Sequence, residues 1–229
     1  MSSAVTLYEI CRPAVQLICR TYWRASFEGL EYVPATGPFV LAPVHRSFID
    51  FAIVSGVTRR RLHFMAKAEL WKYPLFRPIV DGLAAFPVRR GGADRDALRR
   101  CIAYIEQGEP VVLFPEGTRR YGPVVEDLYE GAAYVAIRTG VPIVPVGIGG
   151  SERALRKGSR LPRPATVHVI VGPPLLPPPT DEGRAPSRRA VRELTERLGV
   201  EVQALFDRAQ RAAAGPKDES VPPAPDRAG

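Results

Sequence analysis

Apolar and polar positions along the 229-residue chain follow two rhythms. Short, nearly continuous apolar runs fall at residues 38–43, 61–66, 83–88, 110–114, 141–148 and 165–172. Runs of this length, rich in Val, Ile, Leu and Phe, read as strands buried on both faces. Helical spacing separates them. Residues 47–57 read as a helix start, 67–82 as a helical stretch broken by Pro74 and Pro78, and 93–108 and 127–140 as helices closed by glycine. Alternation of this kind predicts an α/β fold, with a mainly parallel or mixed central sheet flanked by helices.

The two ends behave differently. Residues 5–24 place Leu7, Ile10, Cys11, Ala14, Leu17 and Ile18 near helical spacing, with Tyr22 and Trp23 flanked by Arg20 and Arg24. Pro13 is expected to kink or divide this helix. Periodicity fits two readings equally: a helix packed on the domain, or an interfacial helix with aromatic and basic residues at headgroup depth. The proline-rich run 172–183 is expected to lead away from the core. Residues 187–212 return to helical spacing, and 215–229 have a disordered composition. The expected organisation is an amphipathic helical segment 1–26, one domain 27–212 and a tail 213–229.

Charge narrows the partners. With 32 Lys and Arg against 24 Asp and Glu, the formal charge is +8, so anionic partners are favoured. Three cysteines without a CxxC pair suggest a reducing compartment. Cys101 continues the stripe Leu98, Cys101, Ile102, Ile105 and reads as core. No apolar run is long enough to span a bilayer, and no signal peptide is visible.

Candidate chemistry gathers where strands end. In "VLAPVHRSFID" an apolar run stops at His45, and Asp50 follows five positions later. On a continuous helix the two side chains would stand about 140° apart, so they can meet only if the chain turns between them. A carboxylate on one imidazole nitrogen fixes the tautomer and leaves the other nitrogen to accept a proton. Ser47 and Asp50 also fit a helix-capping box, a structural role that spacing supports equally and that need not exclude the first.

Two further strand ends carry arginines. "VVLFPEGTRR" runs into Glu116, Gly117, Thr118, Arg119 and Arg120, and "AFPVRRGG" into Arg89 and Arg90. If these strands are parallel neighbours, the guanidinium groups share one sheet edge with His45 and form an anion-binding rim. His63 and His168 lie inside strand-like runs and read as structural. No nucleophile elbow, P-loop or dinucleotide fingerprint is present, and the sparse His and Cys offer no convincing metal site. A His–Asp pair without a protein nucleophile suits a substrate that brings its own hydroxyl and an electrophile already activated.

This ordered set resembles the glycerolipid acyltransferase family. His45-Arg46-Ser47-Phe48-Ile49-Asp50 matches its His-x4-Asp block, "GLAAFPVRR" (82–90) its second block, Phe114 to Arg119 its FPEGTR block, and "VPIVPVGI" (141–148) its fourth. The segment "FMAKAELWKYPLF" (64–76) also looks like the family's, and the likeness covers roughly residues 27–175. The resemblance implies an α/β sheet with a membrane-facing N-terminus. It also implies acyl transfer from acyl-CoA or acyl-carrier protein to the hydroxyl of lysophosphatidic acid. Glycerol 3-phosphate, another lysophospholipid or a glycolipid are alternative acceptors, and a non-catalytic basic membrane-binding protein is the rival of a different class.

By the same resemblance His45 and Asp50 are catalytic, and Arg90 and Arg119 hold the acceptor phosphate. Glu116, Gly117 and Thr118 shape the acceptor pocket. Arg89 stands where many relatives carry Asp, which leaves it a helper at most. No cofactor or metal is expected, nor nucleic acid, and the expected location is peripheral, on an anionic membrane surface at the cytoplasmic face.

Overall fold

The computed structural model describes residues 3–67, 71–72, 81, 85–88, 95–155, 161–179 and 185–215. The six apolar runs, joined by the short segment Ser26–Glu28, form one seven-stranded sheet. Its strands are β1 (Ser26–Glu28), β2 (Val40–Pro43), β3 (His63–Lys67), β4 (Ala85–Val88), β5 (Val111–Val112), β6 (Ile143–Gly149) and β7 (His168–Val171). The spatial order is β1-β7-β6-β2-β5-β3-β4. From β6 to β4 all pairs are parallel, whereas β7 runs antiparallel to β6 and β1 parallel to β7. The sheet is therefore mixed, with helices packed against it, as the alternation of runs leads one to expect.

Topology decides where the chemistry falls. β2 lies between β6 and β5, with Leu41 level with both Val144 and Val112. Parallel neighbours end at the same edge, roughly 5 Å apart. The segments that follow β2 and β5 therefore emerge side by side. β7 and β1 begin at this edge too, since His168 is level with both Gly149 and Ser26.

Helices cover the sheet by exclusion of apolar surface. The long helix α6 (Arg188–Ala214) follows α2 (Asp50–Val54), α3 (Arg95–Glu106), α4 (Gly131–Thr139) and the short α5 (Ser151–Ala154). α3 buries Ala97, Cys101 and Ile105. α6 buries a stripe from Val191 through Leu198 and Phe206 to Ala213. Its backbone lies directly on β6: a Cβ at Gly147 would stand 2.4 Å from the Leu205 carbonyl oxygen, and one at Gly149 2.2 Å from that of Ala209. Only glycine permits that approach.

The N-terminal helix α1 (Ser3–Thr21) runs through Pro13 without a break. Pro13 and Glu9 are both exposed, so the Glu9 carbonyl, which the proline leaves without a donor, can be hydrated rather than buried. The face that docks sets hydrogen-bonding side chains beside Val15 and the buried Cys19. Tyr8 donates to the Arg60 carbonyl, Arg12 to those of Ser55 and Thr58, and Gln16 to the Ala52 carbonyl and the Ser55 hydroxyl. Of the apolar stripe predicted from spacing, Ala14, Leu17 and Ile18 face outward, Leu17 64% and Ile18 51% exposed beside exposed Tyr22, while Cys11 is half-buried. Among the described residues no helix is long and apolar enough to cross a membrane.

Other expectations need correcting. The proline-rich run does not leave the core at its start, because Leu175 exchanges backbone hydrogen bonds with Ile143 and packs on the core; residues 180–183 lie outside the described residues. Most of the helical stretch 67–82 lies outside the described residues. The helix expected from Ser47 begins at Asp50.

His168 is paired with Glu28 at 2.8 Å on the surface. His63 is buried and stacks on Tyr104 with ring centroids 3.8 Å apart. Burial, helped by Arg61, lowers its pKa to about 4. A histidine kept neutral by the fold but free to protonate when unfolded draws the equilibrium toward unfolding as pH falls from 6.5 to 4. The loss at pH 4 is roughly 3 kcal/mol. His63→Phe is expected to flatten the stability–pH curve in that window, as read by urea unfolding at several pH values; an unchanged slope would contradict this.

Candidate active site

The segment after β2 turns at once. Pro43 ends the strand, residues 44–49 form a loop, and α2 starts at Asp50. That turn brings the His45 and Asp50 side chains together, with Asp50 Oδ2 3.0 Å from His45 Nδ1. The same oxygen accepts the backbone N–H groups of Arg46 and Ser47, each at 2.7 Å. Asp50 therefore reaches back over the loop as a capping residue and holds the imidazole at once. Ser47 does not cap; its hydroxyl faces the Leu155 carbonyl at 3.5 Å.

The pair is unequally exposed. Asp50 is wholly buried and the His45 side chain 14% exposed. The imidazole lies against Phe114, ring centroids 4.2 Å apart. Among the described residues Nε2 has no hydrogen-bond partner, so an imidazole with its proton on Nδ1, toward Asp50, presents a lone pair at Nε2.

The loop after β5 interlocks with the first. Glu116 is 0% exposed. Its Oε2 accepts the His45 backbone N–H at 2.8 Å, and its Oε1 accepts from Arg46 Nη1 at 2.8 Å. The His45 carbonyl in turn accepts the Arg120 N–H at 2.9 Å. Burial pushes the Glu116 carboxyl above the usual carboxylate range, while the His45 N–H and the Arg46 guanidinium pull it back. Glu116, expected to line the acceptor pocket, thus has its carboxylate inside the protein, because both oxygens are engaged by the neighbouring loop.

The tip of this loop is open. Gly117 sits at φ 65°, in the left-handed region, and a Cβ there would meet the Tyr129 ring at 2.6 Å. Gly117 and Arg119 are exposed and Thr118 half-buried. The Arg119 guanidinium carbon lies 5.9 Å from the centre of the Phe48 ring, just beyond the His45 turn. Arg120 is paired with Glu126 at 2.8 Å. Arg89 and Arg90 lie outside the described residues.

Residue patterns did not reveal Arg46. It is 2% exposed, donates from Nη2 to the Val124 carbonyl at 3.1 Å, and lies 4.7 Å over the Phe206 ring. Its position beside His45 was visible, but its burial depends on α6, some 160 residues downstream.

Comparison with known proteins points one way. A family model described as Acyltransferase matches residues 24–149. A 1-acyl-sn-glycerol-3-phosphate acyltransferase of Bacillus subtilis is 28% identical over 200 residues, covering 87% of this chain and 96% of its own length. A chloroplastic 1-acyl-sn-glycerol-3-phosphate acyltransferase of Arabidopsis thaliana is 28% identical over 158 residues, covering 67% of this chain and 44% of its own length. The crystal structure of the 1-acyl-sn-glycerophosphate acyltransferase of Thermotoga maritima is similar with a TM-score of 0.67 and 26% identity, covering 88% of this chain and 79% of that one.

Proposed function

Because this chain belongs to the acyltransferase family, we propose that it transfers a fatty acyl group from acyl-CoA or acyl-carrier protein to the free hydroxyl of lysophosphatidic acid. The observation that carries this reading is the imidazole held by Asp50 at Nδ1, with no partner for Nε2 among the described residues, on a turn tied by backbone hydrogen bonds to the 116–120 loop. His45 Nε2 takes the hydroxyl proton as the oxygen attacks the thioester carbonyl carbon. The tetrahedral intermediate collapses, the carbon–sulfur bond breaks, and the imidazolium returns its proton to the departing thiolate. Asp50 stabilises the imidazolium in between.

Arg119, exposed above Phe48, holds the acceptor phosphate together with Arg90, with Arg89 at most assisting. Gly117 and Thr118 shape the acceptor pocket. These steps need no metal, since the thioester is already activated and the base is the imidazole. The test is incubation with labelled acyl-CoA or acyl-carrier protein and vesicles bearing lysophosphatidic acid, glycerol 3-phosphate or other lysolipids. Phosphatidic acid is the expected product by mass spectrometry; acylation of a different acceptor, or of none, would overturn the assignment.

The reading includes a peripheral place on an anionic membrane at the cytoplasmic face. α1 supports it, because it docks through hydrogen bonds and leaves Ala14, Leu17 and Ile18 outside, with Arg20 and Arg24 nearby. Its C-terminal end meets the sheet edge where His45 stands: the Val167 N–H donates to the Trp23 carbonyl, and β1 starts level with His168. Leu17→Glu with Ile18→Glu is expected to weaken co-sedimentation with anionic vesicles about tenfold or more, since each buried apolar side chain contributes ~1.5–3 kcal/mol. Turnover of a short-chain, water-soluble acceptor should survive. Unchanged sedimentation would remove α1 from the membrane.

A further inference from the structure

We infer that Arg46 and Glu116 form a buried positioning couple that fixes the backbone of His45, braced from outside by helix α6. The inference rests on the acyl-transfer reading of His45 and adds residues to it that never meet substrate.

The root of the His45 side chain is held at both backbone ends. Its N–H donates to Glu116 Oε2 at 2.8 Å, and its carbonyl accepts from the Arg120 N–H at 2.9 Å. With Asp50 on Nδ1, the imidazole has little freedom to turn or slide. Glu116 can hold that N–H only if its own carboxylate is fixed. Arg46 does this through Nη1, and it is fixed in turn by the Val124 carbonyl at Nη2 and by Phe206 under its guanidinium plane.

α6 closes the chain of support. Besides Phe206 it supplies Gln203, which accepts the Val125 N–H at 2.6 Å and donates to the Pro123 carbonyl at 3.0 Å. Residues 123–125 are thus gripped from both sides, by Gln203 and by Arg46. α6 lies outside the 24–149 region matched by the family.

Energetics favour positioning over stability. A buried ion pair often contributes little net stability, because two charges must be taken out of water. The upward push on the Glu116 carboxyl is the sign of that cost. Fixed geometry at the base is worth more, since a shift of about 1 Å can lower a rate about 100-fold. A substrate-binding role for Glu116 would require its carboxylate to reach solvent, and it has none.

Glu116→Gln tests this, since it keeps the shape and removes the charge. Steady-state kinetics on vesicle-borne lysophosphatidic acid should show kcat lowered about 100-fold, with the acceptor KM little changed. The chain has three histidines, so ¹⁵N-histidine NMR can follow each ring; the His45 Nδ1 proton signal should move while those of His63 and His168 stay. A raised acceptor KM at unchanged kcat would make Glu116 a substrate ligand and overturn the proposal. Equal disturbance of all three histidines would reduce it to fold maintenance, and overturn it also.

If Glu116→Gln does not fold, Gln203→Ala, which buries no charge, decides. It should lower kcat severalfold and move only the His45 signal; no change in either would refute the couple's brace. Should the unmodified protein transfer no acyl group, the acyl-transfer reading falls, and the NMR comparison by itself still decides whether the couple positions His45.

Discussion

His45→Ala is expected to leave the fold in place and remove nearly all acyl transfer. The ring is partly exposed and rests on Phe114 at the end of a strand, so its loss opens no sealed cavity in the core. The chemistry has no substitute for it. Among the described residues no second histidine approaches the site, His63 being stacked on Tyr104 and His168 paired with Glu28. Removing a general base costs ~10²–10⁴ in rate. Initial rates of phosphatidic acid formation should fall by that factor while the thermal unfolding midpoint barely moves. Activity within a few fold of the unmodified protein would mean that the proton goes elsewhere.

Asp50→Asn separates two roles that coincide in one atom. Asp50 Oδ2 serves His45 Nδ1 and the N–H groups of Arg46 and Ser47 together, while Oδ1 is buried with no partner among the described residues. An asparagine oxygen placed at Oδ2 keeps all three bonds, and its amide nitrogen takes the unpartnered position. Stability should drop by about 1–3 kcal/mol, the usual cost of a buried donor left unpaired. If capping were the whole role, turnover would survive that change. As an orienting carboxylate, Asp50 also supplies the negative charge that stabilises the imidazolium, and kcat should fall by ~10² or more. The acceptor KM should stay near its original value.

Much of this architecture is legible in the residues, for a physical reason. Strands buried on both faces must be apolar throughout, so 38–43, 110–114 and 141–148 stand out before any pairing is known. Spacing shows that His45 and Asp50 can meet only through a turn, and Pro43 ends the strand just before it. β1 was not legible, because Ser26–Glu28 has three residues, only Phe27 half-buried, and its pairing depends on residues about 140 positions away.

Helix α1 shows a second limit. Periodicity locates an apolar stripe but does not say whether that stripe is covered. Here Arg12, Gln16 and the buried Cys19 make docking contacts, while Ala14, Leu17 and Ile18 face out. Glu116 shows a third. A carboxylate in a loop after a strand reads as solvated until Arg46, 70 positions earlier, is found buried against it. Leu175 illustrates the same dependence, returning a proline-rich run to the sheet through a single pairing with Ile143.

The most direct test of the central claim is a crystal structure with lysophosphatidic acid and a thioether analogue of acyl-CoA that cannot transfer its chain. The free glycerol hydroxyl is expected within about 2.6–3.2 Å of His45 Nε2, with the phosphate at Arg119 and the analogue's carbon beside that hydroxyl. A headgroup bound elsewhere, or an imidazole whose Nε2 faces away from the hydroxyl, would contradict it.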